Sequence, residues 1–205
     1  MNTPSAYFSA KYANATDPWG LSRRWYERRK YALTLGALPR PRYRAAFEPG
    51  CSVGVLTRQL ARRCDALLAV DAVPSAVATA TARTRDLPHV EVRCLAVPDQ
   101  WPAGAFDLVV LSELLYYFDD ATLRTVLDRT VDCLEPGGTV VTVHWNHRTP
   151  EHLRTGAELV AVLAAVPELS LLCDLRDADF TLQTFGRRHR DGSAPASRAV
   201  VEGLV

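Results

Sequence analysis

Glu48-Pro-Gly-Cys-Ser-Val-Gly54 is the stretch on which the fold turns. It follows a short apolar run, Ala45-Ala-Phe-Glu48, and opens into a helical stretch over Val55–Arg63, so it is a glycine-bearing turn between a strand and a helix. Gly50 and Gly54 let a ligand approach the chain closely, at a helix start where backbone N–H groups are expected to be free. About twenty residues further on, Asp71 ends the next strand, Ala66–Val70, where a carboxylate can accept hydrogen bonds from both ribose hydroxyls. The acid at Glu48 disfavours phosphate, so a phosphate-free nucleoside suits this turn better than a dinucleotide.

Outward from the turn, helices over Ser75–Arg85 and Ala121–Leu134 alternate with strands over Val90–Leu95, Phe106–Leu111 and Thr139–Val143. Continuous apolar strands alternating with helices predict a parallel sheet covered on both faces. After a helix near Gly156–Ala165, the strands Leu169–Leu175 and Phe180–Thr184 lie too close for a crossover and should pair antiparallel. The expected fold is α/β: a single Rossmann-like domain with a mainly parallel seven-stranded sheet and an antiparallel C-terminal hairpin strand.

Before the core, Ser22–Leu38 predicts a basic amphipathic helix ended by Pro39 and Pro41, whose Arg23–Lys30 charge run reads as a solvated face, the alternative being attraction of an anionic substrate. Residues 1–42 are thus expected to form a lid and a basic helix, 43–185 the core, and 186–205 a flexible tail.

Lys+Arg number 24 against 23 Asp+Glu, so no global field favours nucleic acid, and the expected partner is a small molecule. The five cysteines are odd in number and widely spread, which fits reduced thiols better than a disulfide framework. No apolar run reaches the ~18 residues of a membrane span, and Met1-Asn-Thr-Pro-Ser5 shows no basic region followed by an apolar stretch. The expected location is cytoplasmic.

Taken together, Asp17-Pro-Trp19, Glu48-Pro-Gly-Cys-Ser-Val-Gly54, Asp71 with Pro74, Glu113-Leu-Leu-Tyr-Tyr117 and Gly156-Ala-Glu-Leu-Val160 resemble class I S-adenosylmethionine methyltransferases, and within them the NodS nodulation N-methyltransferases. The resemblance covers most of the chain. It implies S-adenosylmethionine as cofactor, with Glu48, Gly50, Cys51 and Gly54 along its methionine and ribose side and Asp71 on the ribose hydroxyls. Ala72 and Val73 would flank the adenine, and Trp19 would join the cofactor site. The acid that many relatives place after the third strand is missing from Cys94-Leu-Ala-Val97, which leaves backbone groups near Leu95 and Ala96 to select adenine. Ser52 replaces the usual middle glycine of the turn.

Methyl transfer needs an acceptor lone pair held in line with the sulfonium methyl, beyond the carboxyl ends of the fourth and fifth strands. Glu113 is the first candidate there for orienting the acceptor or taking its proton, the alternative being a capping or ion-pairing carboxylate. Tyr117, with Tyr116, lies beside it as a catalytic or packing phenol. His144-Trp-Asn-His147 reaches the same rim, with His144 as a candidate base against a structural role, and Trp145 as an apolar or sugar-stacking wall. Trp19 and Trp25 either belong to a lid or seal the core edge. No cysteine or acid completes a compact metal-ligand set with His144, His147 and His152, so no metal is expected. The chain also lacks the Asp-Pro-Pro-Tyr type of motif that base-amino methyltransferases carry.

The implied reaction is methylation of an amine, such as that of an aminosugar; the alternatives are methylation of another small metabolite, at oxygen or nitrogen, or a non-catalytic cofactor-binding protein. An NAD-dependent oxidoreductase ranks last, because its turn would not carry an acid at Glu48.

Overall fold

A computed structural model describes residues 1–205. Its centre is one seven-stranded sheet made of β1 (Tyr43–Pro49), β2 (Cys64–Asp71), β3 (Val90–Cys94), β4 (Phe106–Ser112), β5 (Leu134–Trp145), β6 (Leu169–Arg176) and β7 (Phe180–Arg187). The strand order is β3-β2-β1-β4-β5-β7-β6. The first five strands pair in parallel, and β7 runs antiparallel to both β5 and β6. Because β1 lies between β2 and β4, the direction of winding reverses there, and a crevice opens beyond the carboxyl ends of β1 and β4.

Side-chain alternation along the central strands builds two cores. On β4, Val109 and Leu111 face one layer with Phe47, Leu123 and Val126, while Leu108 and Val110 face the other with Ala46, Leu56 and Leu60. The first layer is covered by α5 (Asp120–Cys133) and α6 (Gly156–Ala164), the second by α2 (Trp25–Gly36) and α3 (Val55–Leu60). α4 (Pro74–Thr84) starts with the pre-set φ of Pro74 and packs its small residues against β2, β3 and α3. At α5 the Asp119 carboxylate accepts the Thr122 N–H, and at α6 Thr155 and Glu158 form a reciprocal cap, so each helix begins where a side chain satisfies an open amide.

Three features differ from the sequence expectation. A helix, α1 (Ser5–Asn14), precedes α2, and α2 itself is shorter than Ser22–Leu38. The charge run is not a fully solvated face: Lys30 is 2% exposed and Glu27 is buried beside it, whereas Trp25 does not seal the core edge and is 70% exposed. β5 begins at Leu134 because Glu135-Pro-Gly-Gly138 bulges within the strand, the register stepping from Phe106↔Leu134 to Leu108↔Thr139. Beyond β7, Pro195 packs on Gly186 and a short exposed helix, α7 (Arg198–Val201), follows. All five cysteines are free, and no helix is long and apolar enough to cross a membrane.

Gly54 caps α3 at φ +74, and a Cβ there would sit 2.9 Å from the Ala80 backbone. Gly54→Ala should therefore cost ~2–4 kcal/mol in urea unfolding. Gly36→Ala meets open space and should be neutral or stabilising by under ~1 kcal/mol. Equal effects at the two positions would contradict the packing role of Gly54.

Candidate active site

A cavity of about 440 Å³ opens beyond the carboxyl ends of β1, β2, β4 and β5, within the ordinary range for small-molecule sites. Glu48, Gly50, Cys51, Asp71, Ala72, Val73, Leu95 and Trp19 line one part of it, and Glu113, Tyr116, Tyr117, Trp145, Glu151 and His152 another. Nearly all the cofactor-side candidates thus converge. Gly54 is not on the wall, because it packs α3 against α4, and Ala96 is also off it, its amide donating to Gln100 Oε1 at 2.8 Å.

The turn after β1 is not a row of free N–H groups. Gly50 and Cys51 both donate to the Val70 carbonyl, at 2.7 and 2.9 Å, Gly54 donates to Cys51, and Ser52 donates to Asp71 Oδ2 at 2.9 Å. Ser52 takes the left-handed conformation at φ 51, the geometry that favours glycine at this position, and its hydroxyl hydrogen-bonds Tyr12 at 2.5 Å. A phosphate here would meet spent amides and two carboxylates. A ligand that donates hydrogen bonds or carries positive charge fits instead.

Both carboxylates are tuned by burial. Glu48 is 3% exposed, its Oε2 has no close partner, and burial, against the nearby Thr57 hydroxyl and with the neighbouring Asp71 charge, pushes its carboxyl up to about 8. Burial also raises Asp71, against the hydrogen bonds it accepts from the Val73 and Ser52 amides. Arg24, just before α2, also lines the cavity and has no ion-pair partner, and Tyr26 lines it with a buried, partnerless hydroxyl. In the sequence Arg24 is one member of the Arg23–Lys30 charge run, and a cavity position has no periodic signature.

Glu113, at φ 53, is fully engaged. Its Oε1 accepts Lys30 Nζ at 2.6 Å, and its Oε2 accepts the Tyr116 hydroxyl and the Trp145 N–H, the latter at 3.1 Å. Lys30 is also 3.0 Å from Glu27. Burial alone would raise the Glu113 carboxyl, but the Lys30 ammonium and the donated hydrogen bonds outweigh it and hold it below the usual range. Glu113 is therefore a poor proton acceptor and a firm anchor, the ion-pairing alternative to proton acceptance, while it stays on the cavity wall.

His144 is corrected likewise. It is 2% exposed, its Nε2 accepts the Leu115 N–H at 3.1 Å, burial lowers it to about 4, and it is absent from the cavity wall. Tyr117 does reach the cavity, with burial raising its phenol so that it stays protonated at neutral pH. His147 turns outward to Asp179 at 2.8 Å. The histidine on the wall is His152, which had been weighed only as a metal ligand; it stacks on Tyr116 with ring centroids 3.8 Å apart.

α1 crosses the cavity mouth. Tyr7 donates to Glu151 Oε1 at 2.5 Å, Phe8 packs edge-on to Tyr117 at 4.8 Å, and Tyr12 meets both Ser52 and Trp19. Asp17 closes the following turn by accepting the Leu21 and Ser22 amides.

Removing Lys30 strands the half-buried Glu113 and the buried Glu27 carboxyls. Lys30→Met should cost ~3–5 kcal/mol in denaturant unfolding, with part of the loss recovered when Glu113→Gln is added. Additive losses in the double variant would show that the pair is not coupled.

Residues 8–176 match the family model described as nodulation protein S (NodS). The nodulation protein S of Rhizobium tropici is 31% identical over 186 residues, covering 83% of this chain and 76% of that protein. Its counterpart from Sinorhizobium fredii (strain NBRC 101917 / NGR234) is 31% identical over 73% of this chain and 71% of that protein. Among solved structures, N-methyltransferase NodS from Bradyrhizobium japonicum WM9, in complex with S-adenosyl-L-homocysteine, superposes with a TM-score of 0.81 at 28% identity, covering 91% of this chain and 99% of that one. A Pseudomonas syringae protein described as a methyltransferase is 44% identical, with a TM-score of 0.70 over 80% of this chain and all of that one. The crevice at the winding reversal and the match across residues 8–176 converge on one assignment: the chain belongs to the NodS family.

Proposed function

We propose that the chain methylates the nitrogen of an amine of the aminosugar kind. As a NodS-family member it is an S-adenosylmethionine-dependent methyltransferase acting on a small molecule. The observation that carries the finer reading is the charge of the acceptor end: Glu151, held below the usual carboxylate range, lines it beside the neutral ring of His152, while the Glu113 charge is matched by Lys30. Such a wall attracts an ammonium and gives a neutral hydroxyl no comparable advantage.

The residues present fit the cofactor. Glu48, a buried carboxyl with a partnerless oxygen, would face its ammonium, Arg24 its carboxylate and Asp71 its ribose hydroxyls, with Ala72, Val73 and Leu95 around the adenine. When bound, S-adenosylmethionine supplies an electrophilic methyl carbon on a sulfonium. The chain's own contribution is positional: Tyr116, Tyr117 and Trp145 shape the acceptor end, and residues of the N-terminal segment 1–42 close the mouth and exclude water. Glu113 fixes that wall through α2, the end of β4 and the end of β5.

Transfer of a ¹³C-labelled methyl group to glucosamine, with N-acetylglucosamine as the amine-blocked control, tests the reading. NMR of the products should place the label on nitrogen in glucosamine and leave the control unlabelled. Label on oxygen in both sugars would replace the amine reading with O-methylation. Asp71→Ala should raise the donor KM by ~10–100-fold through lost hydrogen bonds to a charged group.

Because Glu48 holds its proton up to about 8 while its proposed partner is cationic, cofactor binding should release a proton near neutral pH. Affinity for S-adenosylhomocysteine should rise between pH 6 and 7.5 by up to ~10-fold per unit, flattening in Glu48→Gln. Calorimetry in buffers of different ionisation enthalpy measures this; pH-independent affinity in the unmodified protein would remove Glu48 from the ammonium site.

A further inference from the structure

We propose that His152 is the catalytic base that takes the proton from the acceptor ammonium. This assignment rests on the acceptor being an amine.

An aliphatic ammonium has no lone pair, and a site that binds it through carboxylates stabilises the unreactive form. A base on the wall must remove one proton before transfer. Four side chains near the acceptor end have suitable chemistry, and the structure separates them. Glu113 has both oxygens occupied by Lys30, Tyr116 and the Trp145 amide. His144 is walled off, its Nε2 holding the Leu115 amide. Glu151 accepts the Tyr7 hydroxyl and is held well ionised, so it attracts an ammonium but is too weak a base to deprotonate it. His152 lines the cavity, and its buried Nδ1 has no hydrogen-bond partner.

The surroundings of His152 suit this task. Its ring lies face to face with Tyr116 at 3.8 Å and edge-on to Tyr117 at 5.0 Å, which fixes its plane. Tyr116 is in turn anchored to Glu113, and the His152 backbone N–H donates to Thr149, so the ring is held from both sides. Burial lowers its proton affinity, while Glu113 and Glu151 raise it, the net shift being downward, and the ring is neutral at pH 7. The groups facing it are Glu113 at the end of β4, Tyr116 and Tyr117 after it, His144 on β5, Glu151 on its own loop, and from α1 Tyr7, which is bonded to Glu151. The carboxylates stabilise the imidazolium that forms.

In the step itself, one N–H bond of the acceptor ammonium breaks and its proton bonds to a lone pair of the imidazole. The electron pair of that bond stays on the amine nitrogen as the lone pair that attacks the methyl carbon. The imidazolium later passes its proton to water at the cavity mouth. No oxidant or reductant is involved.

The test is kcat/KM for N-methylation of glucosamine between pH 6 and 10 by the unmodified protein, His152→Gln and His152→Ala. At pH 7 both variants should fall by ~5-fold and recover toward the unmodified rate above about pH 8, where glucosamine sheds its own proton. Added imidazole should restore part of the His152→Ala activity, and S-adenosylhomocysteine affinity should stay within about threefold. Variants as active as the unmodified protein at pH 7 would overturn the assignment. So would a loss that is equal at every pH and unaffected by imidazole, because that marks a packing role. If the unmodified protein methylates no amine while still binding S-adenosylhomocysteine, the amine reading itself fails and the role of His152 falls with it.

Discussion

The contact between the buried Lys30 and the half-buried Glu113 ties α2 to the carboxyl edge of the sheet. One carboxylate receives an ammonium from α2, a phenol from the turn after β4 and a backbone amide at the end of β5. Each charge buried here would by itself cost several kcal/mol, so the arrangement holds only with all its partners present. Glu113 tolerates a left-handed backbone within it, and the bend sends Leu114 against Gly50, where even a methyl group would crowd at 3.2 Å. The turn after β1 and the cavity wall at the ends of β4 and β5 are thereby fixed to the same point.

That fixed geometry explains which ligands the site admits. In dinucleotide-binding turns free amides and the helix N-terminus hold pyrophosphate. Here the amides of Gly50, Cys51 and Ser52 are occupied by Val70 and Asp71, and the groups left facing the cavity include the carboxyls of Glu48 and Asp71. The fold is shared with many dinucleotide enzymes; the distribution of donors and acceptors is what separates this site from theirs.

The sheet was legible because its strands are continuous apolar runs between glycine and proline turns, and the antiparallel hairpin followed from the short connection before Phe180. Glu48, Gly50 and Asp71 were legible because a turn between strand and helix constrains them locally. What escaped depends on long-range partners. α1 is held by hydroxyl contacts to Ser52 and Glu151, far along the chain, and its own apolar pattern is weak. Lys30 sits in a run of arginines that reads as a solvated face, and its partner lies 83 residues away. His144 and His152 occupy the same rim in sequence, but the strand directs His144 into a hydrogen bond with Leu115, while the irregular loop after β5 brings His152 to the cavity. Loop position has no period to read.

The charge complementarity of the cavity is the centre of this account, and calorimetric titration of the purified protein with S-adenosylhomocysteine and, separately, NAD measures it directly. Saturable binding of S-adenosylhomocysteine with no binding of NAD is the predicted result. Binding of NAD, or no binding of S-adenosylhomocysteine by folded protein, would contradict it.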